Sequence, residues 1–142
     1  MKEKKFLKSE FHDGNWRDIE VVPIAVNLIW QSVPVAQVHR GKEFYPKIKA
    51  DIQENGLKFP LLVVRCTYDE LLKQKEKWKD KILPIPTEED FYGYVVWGGS
   101  NRHAIAKELE YDYVDCVLYD TFEEAHKTQK IQREPYKDKY YK

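Results

Sequence analysis

The sequence predicts an α+β fold, α/β-like in its alternation: a small mixed β-sheet flanked by helices. Three observations carry that expectation. Strand-like and helix-like segments alternate from Ile19 to the Q-R pair at 132–133. One strand-like segment ends in four consecutive aliphatics, Leu61 to Val64, which suits a strand buried on both faces. Short turns and long crossovers are mixed, which points to a mixed sheet over a purely parallel one. A chain of 142 residues fits one domain, able to bury roughly two-thirds of its unfolded surface.

Composition narrows the class. Twenty aromatic residues (Tyr 10, Phe 6, Trp 4) are more than a disordered, charge-solvated chain carries. Lys plus Arg equals Asp plus Glu at 24 each, so a general nucleic-acid coat, which needs a cationic surplus, is not expected. No apolar run is long enough to span a membrane, and MKEKKFLKSEF lacks the apolar stretch of a secretion signal. Cys66 and Cys116 are too few for a disulfide framework and too far apart for a zinc knuckle, so both read as reduced core or boundary thiols. The expectation is a cytoplasmic domain without membrane partners.

The elements follow in order. Residues 1–18 are polar and charged, with His12, Asp13, Gly14 and Asn15 as a turn cluster, and read as an arm capped onto the domain by Trp16. Glu20 to Val26 is β-prone, Asn27 to Trp30 closes it, and Pro23 places part of it at a sheet edge or bend. Lys42 to Asn55 has helical spacing through Ile48 and Ile52, and Gly56 sits where a helix takes a left-handed C-terminal residue. The strand through Pro60 to Arg65 follows, then an amphipathic segment read as an inserted helix at about 67–83, ended by Pro84 and Pro86. TEED at 87–90 is a turn, Phe91 to Trp97 a strand, and Ser100 the cap of a helix bearing Ile105 and Leu109. A strand at 113–118 and a helix capped by Thr121, with Glu123 and Glu124 in its first turn, complete the domain at 134. Residues 135–142 form a loose, Tyr-rich tail.

The stretch richest in chemistry is Trp97-Gly98-Gly99-Ser100-Asn101-Arg102-His103. A buried strand delivers two glycines and opens a helix, so unpaired backbone N–H groups meet a chain that a ligand can approach closely. That combination suits an anion, phosphate above all. Arg102 adds a bidentate cation, Ser100 and Asn101 neutral donors, and His103 a group that titrates near neutrality. The same residues also suit a structural role, in which the glycines turn the chain and Ser100 caps the helix.

From these residues outward, the stretch VVWGGSNRHAIAKELEYDYVDCVLYD resembles the centre of the ParB/sulfiredoxin superfamily. Ile19 to Ile29 is similar to its opening strand, Tyr45 to Val64 to its helix and apolar strand, and Gln129-Lys130-Ile131-Gln132-Arg133 to the E-N-x-Q-R motif of ParB-like domains. The resemblance covers roughly Ile19 to Glu134. It implies that Gly99 to Arg102 line a phosphate pocket flanked by Gly98 and His103, with Gln132 and Arg133 adding nucleotide contacts; Arg40 lies where ParB-like domains place a pocket arginine, though with His39 it is more commonly an exposed basic pair in a loop. Sulfiredoxins carry a cysteine where this chain has Ser100, and a hydroxyl cannot supply that thiolate, so sulfiredoxin activity is not expected. Gln129 and Lys130 replace the Glu and Asn of the ParB motif, which weakens a hard-cation ligand. No helix-turn-helix or dimerisation domain follows the motif, so centromere binding is not expected.

The resemblance implies a nucleotide-binding domain with phosphohydrolase or phosphotransferase activity, using Mg²⁺ with ATP or CTP. Asp51, Glu54 and Glu43 are acidic candidates for a base, each equally explained as a solvated helix residue, and no catalytic residue is named. A second reading is a DNA-associated accessory protein or nuclease, to which residues 130–142, with five Lys/Arg against two acidic residues, contribute slightly. A third is a protein-interaction module that kept the fold without the ligand.

Overall fold

The computed structural model of the chain describes residues 3–31, 44–77 and 85–129. Two apolar runs organise it. Leu61–Arg65 (β6) and Tyr94–Gly98 (β7) pair antiparallel in the middle of a six-stranded mixed sheet, with Leu62 opposite Gly98 and an irregularity between Leu62 and Val63. Tyr113–Tyr119 (β8) runs parallel to β6, with Leu61 opposite Cys116. Ile29–Gln31 (β5) runs parallel to β7, with Gln31 opposite Val96. Val22–Ala25 (β4) pairs antiparallel with β8, and Phe6–Leu7 (β1) pairs parallel with it. Since β4 engages residues of β8 that β1 and β6 also engage, β4 lies on one edge of β8 and the other two share the opposite edge.

The helices are Phe44–Asn55 (α1), Tyr68–Lys77 (α2), Ser100–Glu108 (α3) and a fourth over 122–129 (α4). One sheet face buries Leu61, Val63, Val96, Val114 and Cys116 against Ile48 and Ile52 of α1 and Ile105 and Ala106 of α3. The other buries Leu62, Val64, Val95, Trp97 and Tyr119 against Leu71 of α2, Phe122 and Ala125 of α4, and Trp16. Alternate residues of β6 thus serve different cores, which is why Leu61 to Val64 reads as an unbroken apolar run.

The sheet is strongly curled. Only a single 3₁₀ turn, Val26–Leu28, joins β4 to β5. Four residue steps span at most about 14 Å, whereas four strand spacings across a flat sheet would separate β4 from β5 by about 19 Å. The two edges therefore bend toward each other around Ile24, Val26 and Ile29.

Several expectations change here. The N-terminal segment read as an arm contributes β1, buries Leu7, and forms a hairpin of Asn15–Trp16 (β2) and Ile19–Glu20 (β3). Local charge hid this because β1 is two residues long and its partner lies at the other end of the chain. The β-prone stretch over 20–26 is not one strand: β3 closes the hairpin and β4 joins β8. Pro23 does lie on a strand at the sheet edge. The inserted helix is described as Tyr68–Lys77, started by reciprocal Thr67–Glu70 hydrogen bonds. Gly56 takes its left-handed conformation, with φ 75° and its N–H on the Ile52 carbonyl. The tail at 135–142 lies outside the described residues.

Candidate functional site

β7 ends where the glycines begin, and each glycine is fixed by its surroundings. A methyl on Gly98 would meet Leu62 Cδ1 at 2.7 Å. Gly99 has φ 103°, and a methyl there would meet Leu61 Cδ2 at 2.6 Å and Arg102 Nη2 at 2.7 Å. The chain reverses in a space that admits only backbone.

Gly99, not Ser100, is the N-cap of α3, and it makes no side-chain cap. Ser100 is already the first helical residue, so the cap expected from the sequence shifts by one position. The left-handed glycine makes the turn, which leaves nothing for a hydroxyl cap to do. The first intrahelical bond runs from His103 N–H to Gly99 C=O at 2.8 Å. The amides of Ser100, Asn101 and Arg102 precede it and have no acceptor within the helix.

Arg102 and His103 are both turned inward. Arg102 is 6% exposed and donates from Nη1 to the Phe59 carbonyl at 2.7 Å, which ties α3 to the start of β6. His103 is 0% exposed. Its Nε2 lies 3.0 Å from the Val26 carbonyl and its Nδ1 lies 2.6 Å from Gln31 Nε2. A carbonyl can only accept, so the ring carries its proton on Nε2 and accepts at Nδ1 from the Gln31 amide. Burial pushes its pKa down to about 4; Lys107 adds to that, and the bond to Val26 opposes it. His103 is therefore a neutral strut at neutral pH, and the sequence-based expectation of a titrating ligand group gives way to one that locks α3 to the 3₁₀ turn and to β5.

Asn101 differs from both: its Oδ1 is buried without a hydrogen-bond partner. Gln31, at the carboxyl end of β5, was missed in the sequence, where only its β-strand context was legible. Arg40, Gln132 and Arg133 lie outside the described residues, so the structure brings together Gly98 to His103 with Gln31 and Phe59. Among the described residues, no group of three or more His, Cys, Asp or Glu converges to hold a metal ion. Both cysteines are buried, and burial pushes the Cys66 thiol up to about 12 and that of Cys116 well up too. No described helix is long and apolar enough to cross a membrane.

No protein-family model and no curated protein matches the chain. Among solved structures it is similar to a sulfiredoxin from Arabidopsis thaliana, with TM-score 0.46 and 13% identity over 77% of this chain and 94% of that one. It is also similar to a conserved hypothetical protein from Pyrococcus furiosus, with TM-score 0.47 and 16% identity, over 75% of this chain and 34% of that one.

Proposed function

We propose that the Gly98–Gly99 turn and the first turn of α3 bind the phosphates of a nucleotide, and that the protein hydrolyses or transfers its terminal phosphoryl group. The observation that carries this reading is the left-handed Gly99 N-cap without a side-chain cap, at the carboxyl end of a strand. Backbone N–H groups and the positive end of the helix dipole then face an approaching anion, and the N-cap itself brings no side chain to them. The Arg102 guanidinium lies against Gly99 and adds a full positive charge. These fixed dipoles are aimed before the ligand arrives, so they stabilise charge that develops on a transferred phosphoryl group.

Mg²⁺ would come with ATP or CTP, held chiefly by phosphate oxygens and water, with the Asn101 amide oxygen as the hard donor the turn supplies. Bound there, it would offset phosphate charge.

The test is calorimetric titration of the purified chain with ATP, CTP, GTP and ADP, each with and without Mg²⁺. Arg102→Ala removes a buried group as well as a charge, so Arg102→Lys and the thermal stability of both variants are measured alongside. Binding of one nucleotide, weakened at least tenfold in folded Arg102→Lys, supports the reading. Amide shifts on phosphate addition should cluster at Gly99 to Arg102. No binding of any of the four overturns it and leaves DNA or a protein partner as the reading to pursue.

A further inference from the structure

The N-terminal segment over residues 5–13 lies across the domain like a strap, and it reaches α3 at both ends. At the carboxyl end of the helix, Lys5 donates from Nζ to the Leu109 carbonyl at 2.9 Å, so a cation meets the last turn. Toward the amino end the link runs through residues 57–59. The Leu57 N–H donates to the Lys8 carbonyl at 3.0 Å, and the Glu10 N–H to the Leu57 carbonyl at 3.1 Å. Two residues on, the Phe59 ring stacks on Phe11 with centroids 6.2 Å apart and meets Trp16 at 6.0 Å. The carbonyl of the same Phe59 accepts from Arg102 Nη1 at 2.7 Å, while Nη2 lies against Gly99. Residues 57–59 are thus clamped between the strap and the guanidinium at the phosphate turn.

A further fastening shows how the strap can come away. Asp115 of β8 is 1% exposed and sits among Val114, Cys116 and Val117, each 0% exposed. Its Oδ2 accepts from the Ser9 N–H at 2.8 Å and from the Ser9 hydroxyl at 3.0 Å, and its Oδ1 lies 2.9 Å from His12 Nδ1. All three groups belong to the strap. A carboxylate gives up its hydration when the strap docks, so it holds less firmly than a packed apolar side chain would. With the strap away, water covers the same carboxylate, and the bared surface is not wholly apolar. Leu7 is the only aliphatic side chain of the strap, and its neighbours Phe6 and Lys8 are exposed. So few buried contacts mark a unit that opens before the rest of the fold.

We infer that the docked strap sets Arg102 for the anion: when the strap opens, the Phe59 carbonyl loses its support and nucleotide affinity falls at least about tenfold. The inference rests on the phosphate-binding reading. Coupling between two sites is reciprocal, so a nucleotide seated at Gly99 holds the strap shut by the same factor.

The experiment is amide hydrogen exchange of the full chain, alone and with Mg²⁺ and ATP or CTP at about 100 times the calorimetric Kd. Without nucleotide, the Ser9 and Glu10 amides should exchange at least about tenfold faster than that of Val63 in the centre of the sheet. With nucleotide bound, they should slow at least about tenfold. Arg102→Lys lacks the planar fork that serves the Phe59 carbonyl and a phosphate together, so at equal saturation its slowing should shrink below about threefold. Strap amides that ignore bound nucleotide overturn the inference, as do strap amides no faster than Val63. Undiminished slowing in folded Arg102→Lys overturns it too. Each of these results leaves nucleotide binding itself intact, whereas absence of binding overturns the phosphate-turn reading and the inference with it.

Discussion

The buried imidazole of His103 ties the stability of the whole fold to pH. The perturbation is acidification, compared between the wild type and His103→Gln. Glutamine can place an N–H near the Val26 carbonyl but has no proton to gain. In the unfolded chain the ring titrates at 6.5, and in the fold at about 4. The folded value is the depressed one, so below pH 6.5 the unfolded state takes up a proton that the native state refuses. Stability from this group is full above 6.5, falls between 6.5 and about 4, and is flat below. At ~1.4 kcal/mol per pH unit, the loss amounts to about 3 kcal/mol, a large share of the stability of a domain this size. The assay is urea unfolding at several values from about pH 7 to about pH 4, read as the difference between the two proteins. Glu70, held low by its bonds to Thr67, and Glu123, held low by Lys77, lose their contributions at the acid end in both proteins and cancel. The wild type should lose its advantage over His103→Gln by about 3 kcal/mol across that range. A difference that stays flat with pH would refute the placement of a neutral, buried imidazole between Val26 and Gln31.

Three further outcomes are expected. Gly99→Ala should lower the unfolding free energy by about 2–5 kcal/mol in the same assay, from a left-handed conformation that alanine disfavours and from its clash with Leu61; Gly98→Ala, which meets Leu62 from Cδ1 to Cβ but needs no left-handed backbone, should cost about 1–3 kcal/mol. The β2–β3 turn holds Arg17 at φ 52° and Asp18 at φ 65°, so Arg17→Asn with Asp18→Gly should raise the thermal midpoint, by roughly 1 kcal/mol or more in stability. A thiol reagent at about pH 8 should label neither Cys66 nor Cys116 in the native protein and both in urea, because burial shields both thiols and keeps them protonated, raising Cys66 to about 12 and Cys116 well above its ordinary value.

The parts of the molecule legible in the sequence are those whose causes are local. The β7–glycine–α3 junction could be read because an apolar run, two glycines and a helical pattern are adjacent. The Gly56 and Thr121 helix ends could be read for the same reason, Thr121 receiving the Glu124 N–H at 3.2 Å. Ser100 misled because a hydroxyl at a helix start usually caps, and only the backbone shows that Gly99 has taken that position. His103 was assigned to the ligand side because its burial depends on Val26, which lies 77 residues away. The His12–Asp115 pair was legible only as a turn cluster and an alternating strand; the residues are 103 apart, and nothing near either announces the other. Hydrophobic period reports which face is buried, but not which polar side chains that face captures.

The pairing of β1 with β8 joins residues 107 positions apart, and β4 needs β8 as well. On the ribosome the consequence is one of timing. Leu7 and Ile24 emerge first yet have no docking strand until residues 113–119 are made, at roughly 5–20 residues per second a delay of about 5–20 s. The first-synthesised strands are thus the last that can be placed, and for that interval the nascent chain presents apolar segments that a chaperone would hold.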